Sequence, residues 1–163
     1  MLRKTLVLAL AALSLAGCGG AAPKAAAETA SRLLAAALNN DRVAFEAEID
    51  RAAVRDDVRR QVAEMAKGSA LDVDGGPSEF ALDRMISPDA VRVVDSRGQR
   101  LTHAPSANEV APLLRPVGDR KVCLRDAETR KDCLLTFAKG DGNGWRLVGM
   151  KARDLQVQMA SAQ

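Results

Sequence analysis

The stretch that decides the fold is KVCLRDAETRKDCLLTFAKGDGNGWRLVGM, residues 121–150. Apolar residues dominate positions 121–125 and 133–137, and the polar residues 126–130 separate them, which is the pattern of a β-hairpin. Residues 140–144 are rich in glycine and predict a turn, after which residues 145–150 predict a third strand. We therefore expect an antiparallel meander in this part of the chain.

The alternation within these strands predicts two different sheet faces. Cys133, Leu135 and Phe137 share one face, and pairing across the glycine turn aligns Trp145 and Leu147 with it. We expect that face to pack on helices. The opposite face is more apolar than a solvated face normally is, so either another element covers it or it lines a groove. Together with His103, it forms the predicted ligand or partner surface: Leu134, Thr136, Val148 and Met150.

The residues before the meander are mainly helical in pattern. Apolar side chains recur at helical spacing over residues 28–67, with a break before Asp41, a predicted N-cap, and a bend near Asp50. Shorter elements predicted in the middle of the chain are a helix over 78–86 with Phe80 inward, a helix from Ser87 to Val94, a strand near 99–103 and a helix near 107–114. We predict an α+β domain with N-terminal helices packed on a C-terminal antiparallel sheet of three to four strands.

The N-terminus has the composition of an export signal. Arg3 and Lys4 precede an uncharged apolar run of about a dozen residues, shorter than the roughly 20 that span a bilayer. The run ends in Leu15-Ala16-Gly17-Cys18, which resembles the lipobox of bacterial lipoproteins. The resemblance implies removal of residues 1–17 and attachment of a diacylglyceryl group to Cys18. The alternative is an ordinary cleaved signal followed by a chance cysteine.

The same resemblance implies a location and a domain organisation. Gly19 stands where an aspartate tends to retain lipoproteins at the inner membrane, so the outer membrane, facing the periplasm, is favoured. Residues 18–27 are then a lipidated tether and residues 28–163 a single domain. The predicted partners are membrane lipid, through acylated Cys18, and an envelope protein.

The charge balance argues against nucleic acid as a partner. The chain has 24 Lys+Arg against 21 Asp+Glu, and removal of Arg3 and Lys4 leaves 22 against 21. No basic cluster interleaved with aromatic residues is present.

Two cysteines remain after lipidation of Cys18. Closing the predicted hairpin places Cys123 opposite Cys133, where Cβ atoms lie about 4.5–5.5 Å apart. In an exported protein such a pair predicts a disulfide. The alternatives are two buried free thiols or a redox or metal pair, although the spacing is not Cys-x-x-Cys and the chain has 1 histidine to complete a metal site.

A second resemblance concerns the domain itself. Over residues 28–154 the chain is similar to a family of small bacterial envelope proteins of unknown function, and the order of its elements is similar to nuclear-transport-factor-like or cystatin-like cone folds. Three or four predicted strands are fewer than a full cone contains, and the family brings no catalytic residues. The similarity is carried by the helical residues Asp41, Phe45, Asp50, Val54 and Arg55, by Ser87-Pro88, and by Trp145-Arg146-Leu147.

Catalytic and metal-binding motifs are scarce. His103 lies before Ala104-Pro105, as in a loop, and no Gly-x-Ser-x-Gly elbow accompanies it. Residues 72–76 begin like a calcium loop, but Gly76 and Pro77 replace a ligand and the turn glycine. Residues 141–145 depart from that pattern at Trp145. No cofactor and no metal are predicted.

Two functional hypotheses follow. The first is a non-catalytic module, held on the membrane, that binds an envelope component through the sheet face or the helices. The second is a small-molecule-binding or weakly hydrolytic cone-fold domain that uses His103 with Asp89 or Asp95. The second requires His103 in an enclosed cavity, within about 3 Å of the group it serves. A purely structural role in the envelope is compatible with the same features.

Overall fold

The computed structural model describes residues 23–68, 76–127, 129–142 and 144–159, and in this part of the chain no helix is both long and apolar enough to cross a bilayer. Helices come first and an antiparallel sheet follows, which confirms the predicted α+β class. The helices are α1 Lys24–Leu38, α2 Arg42–Ala47, α3 Arg51–Gly68, α4 Glu79–Met85 and α5 Ala107–Val110. The strands are β1 Arg92–Val94, β2 Leu114–Gly118, β3 Lys121–Arg125, β4 Cys133–Lys139, β5 Trp145–Met150 and β6 Gln156–Gln158.

The main sheet is a meander of β2, β3, β4 and β5 in chain order. Two cross-strand rows form its buried face, Leu124–Leu135–Met150 and Val122–Phe137–Leu147. Side chains of these rows join the buried residues of α1 and α3 in one core. The sheet therefore has one buried face, as the hairpin pattern predicts.

The outer edge of β5 is closed by the segment between α2 and α3. The Asp50 amide donates to the Leu147 carbonyl at 2.8 Å, and the Leu147 amide donates to the Glu48 carbonyl at 2.9 Å. Further along, Gln61 of α3 donates to the Met150 carbonyl at 2.8 Å. The predicted bend near Asp50 is thus a break in the helix, because residues 48–50 pair with a strand.

The first helix begins earlier than predicted. α1 starts at Lys24, and Ala26 and Ala27 are buried. The tether predicted over residues 18–27 is therefore too long, since its last four residues belong to the folded domain. Asp41 is confirmed as an N-cap, because its carboxylate accepts a hydrogen bond from the Ala44 amide at 3.0 Å.

The middle of the chain departs most from prediction. Phe80 is 72% exposed rather than inward. The helix predicted from Ser87 to Val94 is a 3-10 turn, Pro88–Ala90, followed by β1, which pairs in parallel with β6. The strand predicted near 99–103 is reduced to one bridge between Val94 and Arg100. Residues 92–94 are extended because they pair with β6, which lies far away in the sequence. The local sequence pattern does not indicate this pairing.

Two bulges correct the predicted sheet faces. Thr136 pairs with Gly149 and Phe137 with Leu147, so Val148 is an extra residue and Met150 lies on the buried face. Leu134 is the extra residue where β4 meets β3, and it is 3% exposed. The prediction that Met150 lies on the face opposite Leu135 is therefore wrong, and Leu134 leaves the regular alternation.

An arginine ladder fastens α4 to α3. Arg51 and Arg55 both donate to Asp83 at 2.9 Å, and Arg55 and Arg59 both contact Glu79 at 2.8 Å. The hydrogen bond from Arg51 lowers the pKa of Asp83, and the charge of Arg55 acts in the same direction. The charged ladder joins the solvent side of α4 to α3, and Leu82 of the same helix is fully buried in the core.

We expect Gly149→Ala to destabilise the fold, because a Cβ atom at this position meets Asp57 Oδ2 at 2.8 Å and Thr136 Cβ at 3.5 Å. Crowding of this kind costs about 1–3 kcal/mol in the free energy of unfolding, measured by urea denaturation. Gly142→Ala is the matched control, since nothing lies within 4 Å of its added methyl group. The cost should shrink in an Asp57→Ala background, and an equal cost in both backgrounds would contradict the proposed contact.

We expect Asp83→Asn to lower the melting temperature at neutral pH and to have little effect in strong acid. The folded-state pKa of Asp83 is depressed below its ordinary 3.8, so its stabilisation is present above that value and is lost as the pH falls through the folded-state pKa. Thermal unfolding of both proteins from pH 7 to pH 2 measures the difference. Asp89→Asn, which removes a carboxylate outside the ladder, is the control, and a pH-independent difference would count against the ion pair.

Candidate functional site

Charge is distributed unevenly along the chain. Residues 28–110 carry 11 Lys+Arg against 15 Asp+Glu, whereas residues 111–163 carry 10 against 6. The total charge is near neutral because the net charge of −4 over residues 28–110 offsets the net charge of +4 over residues 111–163.

Three of the sheet cations lie on the face opposite the core. Lys121, Ala138 and Arg146 are cross-strand neighbours in one row. Arg115 begins the adjacent row, which continues through Cys123, Thr136 and Gly149. We call this surface the basic face and define it by Arg115, Lys121, Thr136, Ala138 and Arg146. Its three cations are exposed, and the small side chains of Thr136 and Ala138 lie between them.

Among the described residues, the cations of the basic face have no carboxylate partner in a salt bridge. Within the described residues, none of Arg115, Lys121 and Arg146 forms a salt bridge. The lysines and arginines described on α1 and α3, by contrast, all form ion pairs. Positive charge is therefore compensated on these helices and uncompensated on the sheet.

A small cavity of about 80 Å³ lies beside the basic face, and we call it the arginine cavity. Arg115 Nη1 donates to the Pro112 and Leu114 carbonyls, both at 2.9 Å, and Arg125 Nη1 donates to the Arg130 carbonyl at 3.1 Å. These hydrogen bonds hold the guanidinium groups of Arg115 and Arg125, two of the three that line the cavity. The lining residues are Pro112, Leu113, Arg115, Arg125, Asp126 and Arg130.

The Cys123–Cys133 disulfide is confirmed, with a Cα–Cα distance of 5.6 Å in the range usual for disulfides. The two residues are not directly opposite, because Cys123 pairs with Thr136 and Cys133 with Arg125. Cys133 Sγ lies 3.2 Å from Thr136 Oγ1, so Cys133 belongs to the basic-face side and not with Leu135 and Phe137. The bond closes the loop that carries Arg130, and such closure contributes about 2–3 kcal/mol in the chain-entropy model.

The residues of the predicted surface do not come together as one open site. Leu134 and Met150 are buried, and Thr136 and Val148 are half-buried. His103 is exposed and lines neither the arginine cavity nor the grooves described here. Cys18 lies outside the described residues.

The arrangement around His103 does not meet the requirement of the hydrolytic hypothesis. Hydrogen bonds from Ser106 lower the pKa of nearby Glu109, and the charge of His103 adds a smaller effect. Those bonds form the capping box that starts α5. Asp95 accepts the amides of Arg97 and Gln99 in a turn. An exposed His103 beside a carboxylate used as a cap is a surface residue and not an enclosed general base.

Two larger grooves lie elsewhere on the described surface. One, of about 220 Å³, runs along β1 and includes Arg92 and Arg100. The other, of about 450 Å³, lies between α2 and α4 and includes Arg42, Phe80 and Arg84. Their arginines, like the cations of the basic face, form no salt bridge among the described residues, but the Asp89 carboxylate borders both grooves and Asp83 borders the second.

Within the described part of the chain, no group of three or more His, Cys, Asp or Glu side chains is placed to hold a metal ion. The calcium-like residues 72–75 lie outside the described residues, and Asp83, at the twelfth position of that pattern, binds Arg51 and Arg55 instead.

Comparison with protein-family models, curated proteins and solved structures finds no match to this chain. The sequence carries a signal for the basic face in the surplus of Lys and Arg after residue 110, but only the strand register shows that Arg115, Lys121 and Arg146 share a face.

Proposed function

We propose that this chain is a lipid-anchored protein of the bacterial outer membrane, facing the periplasm, and that its domain is a non-catalytic binding module. The domain uses its basic face to bind an acidic segment of an envelope protein. The observation that carries the proposal is the set of three exposed cations without salt-bridge partners among the described residues, Arg115, Lys121 and Arg146.

The anchor part of the proposal is supported by the sequence Leu15-Ala16-Gly17-Cys18 and by the glycine that follows it. Acyl chains on Cys18 favour the membrane by about 0.8 kcal/mol for each buried methylene, so two or three chains give stable attachment. The Cys123–Cys133 disulfide is consistent with an oxidising compartment.

The choice of an acidic protein segment follows from charge and shape. Guanidinium groups bind carboxylates through paired, charge-assisted hydrogen bonds, and complementary charge accelerates association. Thr136 and Ala138 have short side chains, which leaves room for a partner chain between Lys121 and Arg146, whose strands are separated by β4. At about 4.8 Å between neighbouring strands, these two backbones lie roughly 10 Å apart.

We expect Cys18→Ser to abolish acylation and to release the protein from the membrane. Metabolic labelling with a fatty-acid analogue and membrane fractionation measure the two effects. Cys123→Ser combined with Cys133→Ser is the matched control, because it removes thiols without touching the lipobox and should leave labelling unchanged. Persistent labelling and normal processing of the Cys18→Ser protein would overturn the anchor.

We expect a photo-crosslinking amino acid at position 138 to capture an acidic protein segment in intact cells. Lys121→Glu combined with Arg146→Glu should reduce the product at least about tenfold, since two charge-assisted contacts become repulsive. Arg97→Glu combined with Arg153→Glu is the control, because it makes the same charge change at exposed residues away from position 138 and should preserve the product.

Mass mapping of the captured peptide decides the outcome of that experiment. An acidic peptide whose capture depends on Lys121 and Arg146 supports the proposal. A product that survives the charge reversal, a product made of lipid, or a peptide without acidic residues would contradict it.

A further inference from the structure

We infer that the arginine cavity binds a phosphate group. This site is distinct from the contact proposed for the basic face, although Arg115 borders both. The charge, the hydrogen-bond donors and the size of the cavity suit such a group. It does not depend on the anchor at Cys18.

The charges that line the cavity match a phosphate monoester. Three arginines and Asp126 give a balance of +2. A phosphate monoester carries about −1.5 to −2 at pH 7, whereas a single carboxylate carries half of that charge or little more. The Asp126 carboxylate accepts the Thr129 amide at 2.7 Å, which orients it within its own loop.

The donors are already positioned in part. The described hydrogen bonds of the Arg115 and Arg125 guanidinium groups use Nη1 alone, and they are made to backbone carbonyls. Each of these two guanidinium groups has further N–H donors that can bind a ligand. The planar arrangement of guanidinium donors matches the geometry of phosphate oxygens. Because these side chains are already ordered, binding loses less conformational entropy than it does with free side chains.

The size of the cavity limits the ligand. About 80 Å³ is well below the roughly 300–1,000 Å³ of pockets that enclose drug-sized molecules. The cavity therefore accommodates one small oxyanion or the phosphate end of a larger molecule, with the remainder outside. A free phosphate ion and the phosphomonoester of a lipid headgroup share this chemistry.

Isothermal titration calorimetry measures the binding of inorganic phosphate and of glycerol phosphate to the purified full chain in detergent. We expect saturable binding that Arg130→Gln weakens at least about tenfold, the loss typical of one charged hydrogen-bonding group. The Arg130 side chain makes no hydrogen bond to other described residues, so this variant should retain the fold, which thermal unfolding checks. Lys131→Gln is the matched control, since it removes the same charge one residue away from the cavity lining, and its affinity should stay within about twofold.

The outcomes separate the possibilities. Binding of glycerol phosphate as tight as that of phosphate supports a headgroup as the source, and binding of inorganic phosphate alone supports the free ion. Absence of saturable binding, equal losses in Arg130→Gln and Lys131→Gln, or equal competition by acetate at the same ionic strength would overturn the inference. Crosslinking at position 138 reports on the basic face separately, so failure of one result leaves the other intact.

Discussion

The structure depends on how the backbone amide and carbonyl groups at the outer edge of β5 are hydrogen-bonded. An edge strand presents amide and carbonyl groups that pair with another chain unless something covers them. Here the Leu147 amide donates to the Glu48 carbonyl, and the Leu147 carbonyl accepts from the Asp50 amide. The Gln61 side chain donates to the Met150 carbonyl. Ile49 leaves the helical path to form a parallel bridge with Leu147, which is why α2 and α3 are separate helices. α3 lies along this edge, where Asp57 approaches Gly149 at the end of the row that begins at Arg115.

Much of the fold could be predicted from local patterns. The hairpin strands, the Asp41 cap and the disulfide each depend on residues that lie close together in the sequence. β1 and β6 were not predictable in this way, because three residues of each gain their extended form from pairing with the other. Propensity alone does not decide such short segments against long-range contacts.

The candidate site could be predicted only in part. Strict alternation assigned Met150 to the face opposite Leu135, but the bulge at Val148 places it in the core. Gly149 was the available signal, since a glycine inside a strand often marks a bulge or a close approach, and Asp57 makes that approach here. The surface opposite the core is therefore basic, whereas the alternation predicts an apolar one. A basic surface favours an anionic partner over an apolar ligand.

The pairing of β1 with β6 has a consequence for how the domain matures. Arg92 pairs with Gln156, 64 residues further on, and Val157 is fully buried in the core. Contacts at such separation form late and slowly, because a long loop must close before they stabilise anything. A growing polypeptide that has not yet supplied residue 158 has no partner for β1, so it remains incompletely folded. Closure of this two-stranded sheet therefore waits until the chain up to residue 158 is available.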